Sequence, residues 1–349
     1  MRSIIKILFL FCTGFLINSC KKNDTPTTDP VIYLAGAYNN GSKSVAAYWK
    51  DGIVVSLSDG TKNAGASSIF VQGNDVYVVG IEDFSYGNVL KYWKNGVGTV
   101  LSVPTKHSIP ASSSGIFVNG NDVHIAGFDT DPIDFTERPT YWKNAVATTL
   151  TNAATHGGAI SVTVVGNDVY IAGVVTDPTG SNNVVTYWKN GVPVILTDGT
   201  KEGFVSSIAV NGTDVYVAGA EEAPGSPKSF ARYWKNGIAT TLSDGRNQAM
   251  VTSIAIAGND VHAVGWELNG TNAVAKYWKN GIATNLTDGT KSGHAHCVVV
   301  YGNDVYIVGN ESTGSNNYDY ISKYWKNGVP VNLGSTNPKF FAHSIFLTQ

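Results

Sequence analysis

Charged residues are scarce in this chain of 349 residues: Asp, Glu, Lys and Arg together make up 14%, against about 25% in an average soluble domain. Long helices with charged outer faces are therefore not expected. The formal net charge is only -2, which argues against nucleic acid as a partner, because phosphate binding needs a basic surface. Hydrophobic residues make up 43%, so most of the chain is not disordered and can build a sizeable core.

Cysteine is also sparse, and only Cys20 and Cys297 lie beyond the first 19 residues. The folded part therefore has no disulfide. Motifs of common enzymes are missing: the sequence has no GxSxG elbow, no HExxH, no P-loop and no CxxC pair. Asp129, Asp131 and Asp134 lack the glycine and the distal glutamate of a calcium loop. We therefore expect neither a metal nor a cofactor.

The N-terminus has no apolar run long enough to cross a membrane. Ile7–Ile17 contains eleven residues, whereas a transmembrane helix needs about 20. Arg2 and Lys6 precede this run, and no acidic residue does. A basic start followed by a short apolar run indicates a secretory signal peptide.

The segment that follows the apolar run, Ile17-Asn18-Ser19-Cys20, resembles the lipobox of bacterial lipoproteins. The resemblance implies that the signal, residues 1–19, is cut before Cys20, whose thiol receives a diacylglyceryl group and whose amine is acylated. Residues 20–30 are polar and contain two prolines, which predicts a flexible tether. The alternative is an ordinary signal peptide with an incidental cysteine.

Two motifs repeat along the remaining chain, residues 31–349. The triplet Tyr-Trp-Lys occurs seven times, with its tryptophan at Trp49, Trp93, Trp142, Trp188, Trp234, Trp278 and Trp325. The motif G-[NT]-D-V-[YH] occurs six times, starting at Gly73, Gly120, Gly166, Gly212, Gly258 and Gly302. The period of 44–49 residues is typical of propeller blades.

Each repeat divides into four short β-runs, here strands A to D, separated by turn signals. The turn between strands C and D is Asn-Gly in five repeats and Asp51-Gly52 in the first, which are the preferred pairs for type I′ hairpins. The folded part opens with Val31–Gly36, which matches strand B, and stops with Ser344–Leu347, which matches strand A. The sequence therefore predicts an all-β, seven-bladed β-propeller with four antiparallel strands per blade. One C-terminal strand joins three N-terminal strands to close it.

The repeats resemble the HAF-type repeats of bacterial extracellular proteins, which also have a Trp and a Gly before a short strand and a V-V-G ending. They are similar more loosely to kelch and YWTD propellers. The resemblance covers residues 31–349. It implies a propeller fold and an extracytoplasmic setting, but no activity, because these families share none.

Loop lengths distinguish the two faces of the predicted propeller. Length varies mainly between strands B and C, whose loops share one face with the D–A loops, whereas the A–B and C–D turns are short. Binding residues concentrate on variable loops. We expect these loops to carry eleven acidic residues: Glu82, Asp83, Asp129, Asp131, Asp134, Glu137, Glu221, Glu222, Glu267, Glu311 and Asp319. They also carry aromatic residues, which could instead fold back as local lids: Tyr38, Phe84, Tyr86, Phe128, Phe135, Trp266, Tyr318 and Tyr320.

One sector breaks the repeat symmetry. His296 and His343 occupy equivalent positions in strands A of adjacent blades, near the predicted mouth of the channel. Two residues earlier in the register stand Phe204, Met250, His294 and Phe341. Together with Trp266 these residues form our candidate ligand-binding site. The alternative is that the histidines only line a wet channel.

Cys297 follows His296 directly and takes a position that other repeats fill with Ser or Gly. Regular β alternation places it on the other side of the strand from His294 and His296. We therefore expect a buried small side chain that cannot share an ion with the two histidines.

These observations favour a lipid-anchored propeller of the bacterial cell envelope, held at the outer membrane on its periplasmic or its outer surface. We expect it to act as a ligand-binding or protein-interaction scaffold. Its partners would be the membrane, through the lipid on Cys20, and a glycan, a peptide or another envelope protein at the loop face. The alternative is a carbohydrate-active enzyme, a glycan lyase or hydrolase, with its site in the same loops.

Overall fold

The computed structural model describes residues 29–84, 87–102, 115–131, 136–152, 155–223, 225–226, 228–314, 320–333 and 340–349. The predicted signal peptide, Cys20 and most of the tether lie outside these residues. So do Tyr86, Asp134, Phe135, Tyr318 and Asp319. The described part of the chain contains strands and no helix, and thus no helix long and apolar enough to span a bilayer.

The chain forms seven sheets of four antiparallel strands, which confirms the predicted all-β propeller. Blade 1 contains β28, β1, β2 and β3 in that order, and blades 2 to 7 each contain four consecutive strands. The strands are β1 (Val31–Asn39), β2 (Ser44–Lys50), β3 (Ile53–Ser56), β4 (Ala64–Gln72), β5 (Asp75–Phe84), β6 (Gly87–Lys94), β7 (Val97–Ser102), β8 (Gly115–Asn119), β9 (Asp122–Thr130), β10 (Glu137–Lys143), β11 (Val146–Thr149), β12 (Gly157–Val165), β13 (Asp168–Thr176), β14 (Asn183–Lys189), β15 (Val192–Ile195), β16 (Gly203–Asn211), β17 (Asp214–Glu222), β18 (Ser229–Lys235), β19 (Ile238–Thr241), β20 (Ala249–Ala257), β21 (Asp260–Leu268), β22 (Ala273–Lys279), β23 (Ile282–Asn285), β24 (Gly293–Tyr301), β25 (Asp304–Ser312), β26 (Tyr320–Lys326), β27 (Val329–Asn332) and β28 (Phe340–Thr348).

The ring closes as the sequence predicts. Strand β28 pairs antiparallel with β1, from Val31 opposite Thr348 to Tyr38 opposite Phe340. Each strand A contacts strand A of both neighbouring blades, including β28 against β4. The seven A strands therefore surround a central channel, and no sheet edge is left open between the first and last blades.

The Tyr-Trp-Lys triplets supply the core between blades. Each of the seven tryptophans is at most 6% exposed. Trp234, for example, packs against Tyr170 and Tyr187 of the preceding blade. Trp278 Nε1 also donates to the carbonyl oxygen of Leu242 at 3.1 Å, which ties one blade to the end of the previous outer strand.

The C–D hairpins have positive φ at both central residues in every blade, as type I′ turns require. These turns and the A–B turns form one face of the ring, which we call the tight-turn face. The B–C and D–A connections form the opposite face, the loop face. Strands A and B extend further toward the loop face than the sequence motifs alone indicate, so Trp266 and Glu267 lie in β21 and not in a loop.

Candidate functional site

A β-bulge interrupts strand A at the same position in six blades, where the register with strand B skips one residue. The skipped residues are Ser67, Ile160, Ser206, Thr252, His296 and His343. In blade 3 the equivalent residue precedes Gly115 and lies outside the described residues. A bulge re-aims the side chains beside it, so that consecutive residues of one strand can line the channel.

The bulge explains why strand B has a glycine opposite it. In blade 7 a Cβ atom added to Gly309 would lie 2.1 Å from the carbonyl oxygen of His294. The same approach recurs at Gly219, whose added Cβ would lie 1.9 Å from the Phe204 carbonyl oxygen. Only a residue without a side chain tolerates such contact with the backbone. The V-V-G ending of the repeat is therefore the partner of the bulge.

A cavity of about 410 Å³ occupies the channel at the level of the bulges. Because strand A runs from the loop face to the tight-turn face, these early residues place the cavity in the loop-face half. Its wall consists of Gly65, Ala66, Ser67, Ser68, Ile81, Gly115, Ile160, Ser161, Val205, Ser206, Ser207, Met250, Thr252, Ser253, His296, Cys297, His343 and Ser344. This volume lies within the usual range for small-ligand sites.

His296 and Cys297 both line this cavity, so the prediction that they lie on opposite sides of the strand was wrong. Simple alternation holds only in a regular strand, and the bulge interrupts it. Cys297 is nevertheless a small inner-strand residue, as predicted, with its Sγ atom 3.9 Å from Ser253 Oγ. Burial raises the pKa of the Cys297 thiol, which keeps it protonated and unreactive at neutral pH.

Hydroxyl groups of the cavity wall connect neighbouring blades. Ser161 Oγ accepts the backbone N–H of Ile208 at 3.3 Å, and Ser207 Oγ accepts that of Ile254 at the same distance. Each of these two serines uses its oxygen as the acceptor, so its O–H group is left to donate into the channel. The wall is therefore polar but carries no formal charge from an acidic or basic side chain among the residues that line it.

An aromatic and imidazole cluster adjoins one sector of this wall, and two of its members, His296 and His343, line the cavity. The ring centroid of His296 lies 5.6 Å from that of His343 and 6.3 Å from that of His294. Phe341 lies 4.7 Å from His343, and Trp266 meets His294 edge-on at 5.7 Å. The structure thus brings together five of the seven candidate residues that the sequence identified, all from blades 6, 7 and 1.

The other two candidates lie at the edge of this cluster. Met250 lines the cavity and stands opposite Trp266 in the β20–β21 pair. Phe204 belongs to blade 5 and is 37% exposed, and it has no ring contact with the cluster in the described part of the chain.

Two further members were missing from the predicted site. Tyr320 contacts both His294 and Phe341, with centroid distances of 6.4 and 5.9 Å. Asn310 is buried, and its Nδ2 atom lies 2.6 Å from His296 Nε2. The sequence does distinguish Asn310, because it is the one polar residue among those that directly follow the strand-B glycines. The other blades have Ala37, Ile81, Phe128, Val174, Ala220 and Trp266 there.

The histidines of the cluster are neutral at pH 7. Burial, together with the nearby imidazoles of His343 and His294, lowers the pKa of His296 to about 3. His343 is exposed toward the channel, but the surrounding walls keep bulk water away and lower its pKa to about 4. Burial also lowers the pKa of His294. Neutral His296 Nε2 can then accept a hydrogen bond from the Asn310 amide.

Four of the predicted loop acids lie in strand B and form ion pairs with strand C. Glu82 pairs with Lys91 at 2.9 Å, and Glu267 pairs with Lys276 at 3.0 Å. Glu221 and Glu311 pair in the same way with Arg232 and Lys323. Across the described ranges, no three His, Cys, Asp or Glu side chains come together as a metal site.

In six blades the lysine of the Tyr-Trp-Lys triplet forms an ion pair with the aspartate of the G-[NT]-D-V-[YH] motif, at 2.7 to 3.1 Å. The same aspartate accepts a hydrogen bond from the turn asparagine, as Asp75 does from Asn95 at 2.7 Å. The tight-turn face therefore carries repeated neutral units and not a basic circle.

Comparison with known proteins identifies the fold and nothing finer. No protein-family model matches the sequence, and no curated protein matches it either. The chain is similar to the β-propeller domain of the Trilobed protease from Pyrococcus furiosus, with a TM-score of 0.56, 11% identity, and coverage of 89% of this chain and 96% of that domain. That domain is described as having an open velcro topology, whereas here β28 closes the ring.

Two whole peptidases contain a similar propeller. An acylaminoacyl peptidase from Pyrococcus horikoshii matches with a TM-score of 0.55 and 12% identity, over 89% of this chain and 52% of the peptidase. A prolyl endopeptidase matches with a TM-score of 0.53 and 12% identity, over 92% of this chain and 50% of that one. The chain thus spans about half the length of these enzymes. At such low identity the likeness concerns the fold alone.

Proposed function

We propose that this protein is a lipid-anchored propeller of the bacterial envelope that binds a neutral, hydroxyl-rich ligand, such as the end of a glycan chain, at the loop-face mouth of its channel. The observation that carries the proposal is the asymmetric cluster around His296 and His343. Its seven side chains come from three adjacent blades, whereas the register of His294 and Phe341 holds Gly65 and Gly158 in blades 2 and 4.

The chemistry of the cluster and of the adjoining cavity wall supports a neutral ligand. The aromatic rings of Phe341 and Trp266 in the cluster are flat apolar surfaces, and a sugar ring has an apolar face that can pack on such rings. The neutral imidazoles and the hydroxyl groups of Ser161 and Ser207 can form hydrogen bonds to its polar groups. A charged ligand would find no partner of opposite charge on the described cavity wall, so its burial would be costly.

The enzyme alternative has weaker support. A glycan lyase or hydrolase of the common type needs carboxyl groups beside the bond that it cleaves. The described cavity wall contains no Asp or Glu, and four of the predicted loop acids are paired with Lys or Arg. Binding without catalysis is therefore the function that these contacts favour.

The binding proposal is tested by screening the mature chain from Cys20, purified in detergent, on arrays of glycans and peptides. We expect signals from neutral glycans that are lost in the double variant His296→Ser, His343→Ser. Serine is the native residue at this bulge in blades 2 and 5, so the variant is expected to fold. Binding confined to peptides, or glycan signals that the double variant retains, would contradict the proposal.

The anchor is tested separately with Cys20→Ala, which removes the proposed acylation site. We expect wild type to enter the detergent phase on phase separation and the variant to leave it. The mass of the variant shows whether its signal has been cut, since an uncut signal would itself hold the chain in detergent. Equal partitioning of a cut variant and wild type would overturn the anchor.

A further inference from the structure

Seven exposed apolar side chains form a ring around the tight-turn face. Each is the first residue of an outer strand, and its exposed fraction lies between 64% and 74%. We call them the rim residues: Ile53, Val97, Val146, Val192, Ile238, Ile282 and Val329. Every blade contributes one, and every one is Ile or Val.

Strand propensity explains the branched shape of these side chains but not their apolarity. Threonine is also β-branched and suits an exposed strand, and the outer strands use it elsewhere, as at Thr148, Thr240 and Thr284. None of the seven blades has threonine at the rim position. Single exposed apolar residues are common on protein surfaces, but here one recurs at the same position in all seven blades, around one face of the ring.

The charges beside the rim residues are balanced. Each rim residue stands opposite the lysine of its Tyr-Trp-Lys triplet, as Ile282 does opposite Lys279, and Lys279 pairs with Asp260 at 2.7 Å. The lysine stems add aliphatic surface around the rim. Because the paired charges cancel, this apolar perimeter does not require a basic binding partner, and it does not repel an anionic one.

The chain enters the propeller on the same face. Strand β1 begins at Val31, beside the turn that follows Lys50, and Asp29 forms an ion pair with Lys326 at 3.4 Å. Only ten residues separate Val31 from Cys20, and ten extended residues span at most about 33 Å. A lipid on Cys20 would therefore hold the tight-turn face, and not the loop face, close to a bilayer.

We infer that the rim residues are a membrane-docking surface: they lie in the lipid interface, so that the tight-turn face rests on the bilayer and the channel mouth opens away from it. The inference rests on the lipid anchor of the proposed function. Apolar area inserted into the interface adds to the affinity supplied by acyl chains. The same geometry leaves the cluster around His296 accessible to a ligand from the aqueous side.

The test uses the full lipidated chain in phosphatidylethanolamine–phosphatidylglycerol vesicles that contain a spin-labelled lipid. Cys297→Ser removes the other thiol of the mature chain, and one new cysteine per protein carries a fluorophore. The positions are Ile282→Cys at the rim, Asn285→Cys at the far end of the same outer strand, and Thr271→Cys on the loop face of the same blade. We expect quenching by the lipid to be several-fold stronger at position 282 than at 285 and absent at 271.

A second variant replaces the other six rim residues by threonine in the Ile282→Cys protein, which should remove most of the quenching. Its control replaces Val100 and Ile195, exposed outer-strand residues away from the rim, and should leave the quenching unchanged. Equal quenching at 282 and 271, or quenching that survives the threonine variant, overturns the docking surface. Detergent partitioning of the same samples measures the lipid anchor separately. Absence of the anchor can therefore be distinguished from failure of the docking surface.

Discussion

His296 and His343 stand at the same bulge position on neighbouring inner strands, with their ring centroids 5.6 Å apart. Blades 2 and 5 have a serine at this position and blade 6 has a threonine. There the hydroxyl bonds to backbone, as Thr252 does when it donates to the Ala295 carbonyl oxygen at 2.7 Å. Two imidazoles in place of hydroxyls turn a structural position into the centre of a candidate binding site.

The first prediction concerns acid. The pKa of His296 is about 3 in the folded chain, below its ordinary value of 6.5, so only the unfolded chain takes up this proton as the pH falls through 6.5. The stability that His296 contributes is complete above pH 6.5 and is lost toward pH 3. From pH 7 to 5, wild type should lose about 1 to 2 kcal/mol more unfolding free energy than His296→Ser. Urea denaturation at both pH values measures this, and equal losses would contradict it.

The second prediction concerns the bulge. In Gly309→Ala the new Cβ would lie 2.1 Å from the His294 carbonyl oxygen, so the strand pair must separate. We expect a loss of about 2 kcal/mol or more in unfolding free energy. Gly65→Ala is the matched control, because nothing lies within 4 Å of its added Cβ. Similar denaturant midpoints for the two variants would show that strand A can shift away from the glycine.

The third prediction concerns the turn in blade 3. Asn144 and Ala145 have φ values of 52° and 66°, so this hairpin keeps the type I′ conformation without its usual glycine. The left-handed region is unfavourable for alanine, and Ala145→Gly should stabilise the protein by about 1 kcal/mol. Gly191→Ala in the next blade should do the reverse. An unchanged or lower denaturant midpoint for Ala145→Gly would contradict this account.

The fourth prediction concerns closure. Truncation after residue 339 deletes β28, which leaves β1 unpaired along one edge and opens the ring. Deletion of residues 21–30 removes only the predicted tether. We expect a large fall in the thermal midpoint for the first variant and little change for the second. Equal midpoints would mean that the other six blades hold the fold without closure.

Much of the fold could be predicted from the sequence because repetition amplifies weak signals. One Asn-Gly pair indicates a hairpin, and Asn-Gly or a close variant of it at a fixed distance from seven tryptophans indicates seven blades. Closure was predictable because Val31–Gly36 and Ser344–Leu347 match complementary strands of one repeat. The resemblance to HAF-type repeats and the lipid on Cys20 stay predictions.

The bulge could not be predicted from alternation, which assumes a regular strand. For that reason His296 and Cys297 were assigned to opposite sides, although they share the cavity. Loop assignments failed for a related reason: β21 continues beyond its glycine, so Trp266 and Glu267 belong to a strand. The ion pairs of the loop-face acids depend on contacts between strands B and C, which sequence spacing does not reveal.

The most direct test of the binding site is calorimetric titration of the mature chain with the neutral oligosaccharide that gives the strongest array signal. We predict saturable binding that is at least about tenfold weaker in Trp266→Ala, since an aromatic contact with a ligand contributes on the order of 1 kcal/mol or more. Alanine is native at this register in blades 1 and 5, so folding should be retained. Ile282→Thr, on the opposite face, should bind like wild type. Equal affinity of Trp266→Ala and wild type would contradict the assignment of the site to the channel mouth.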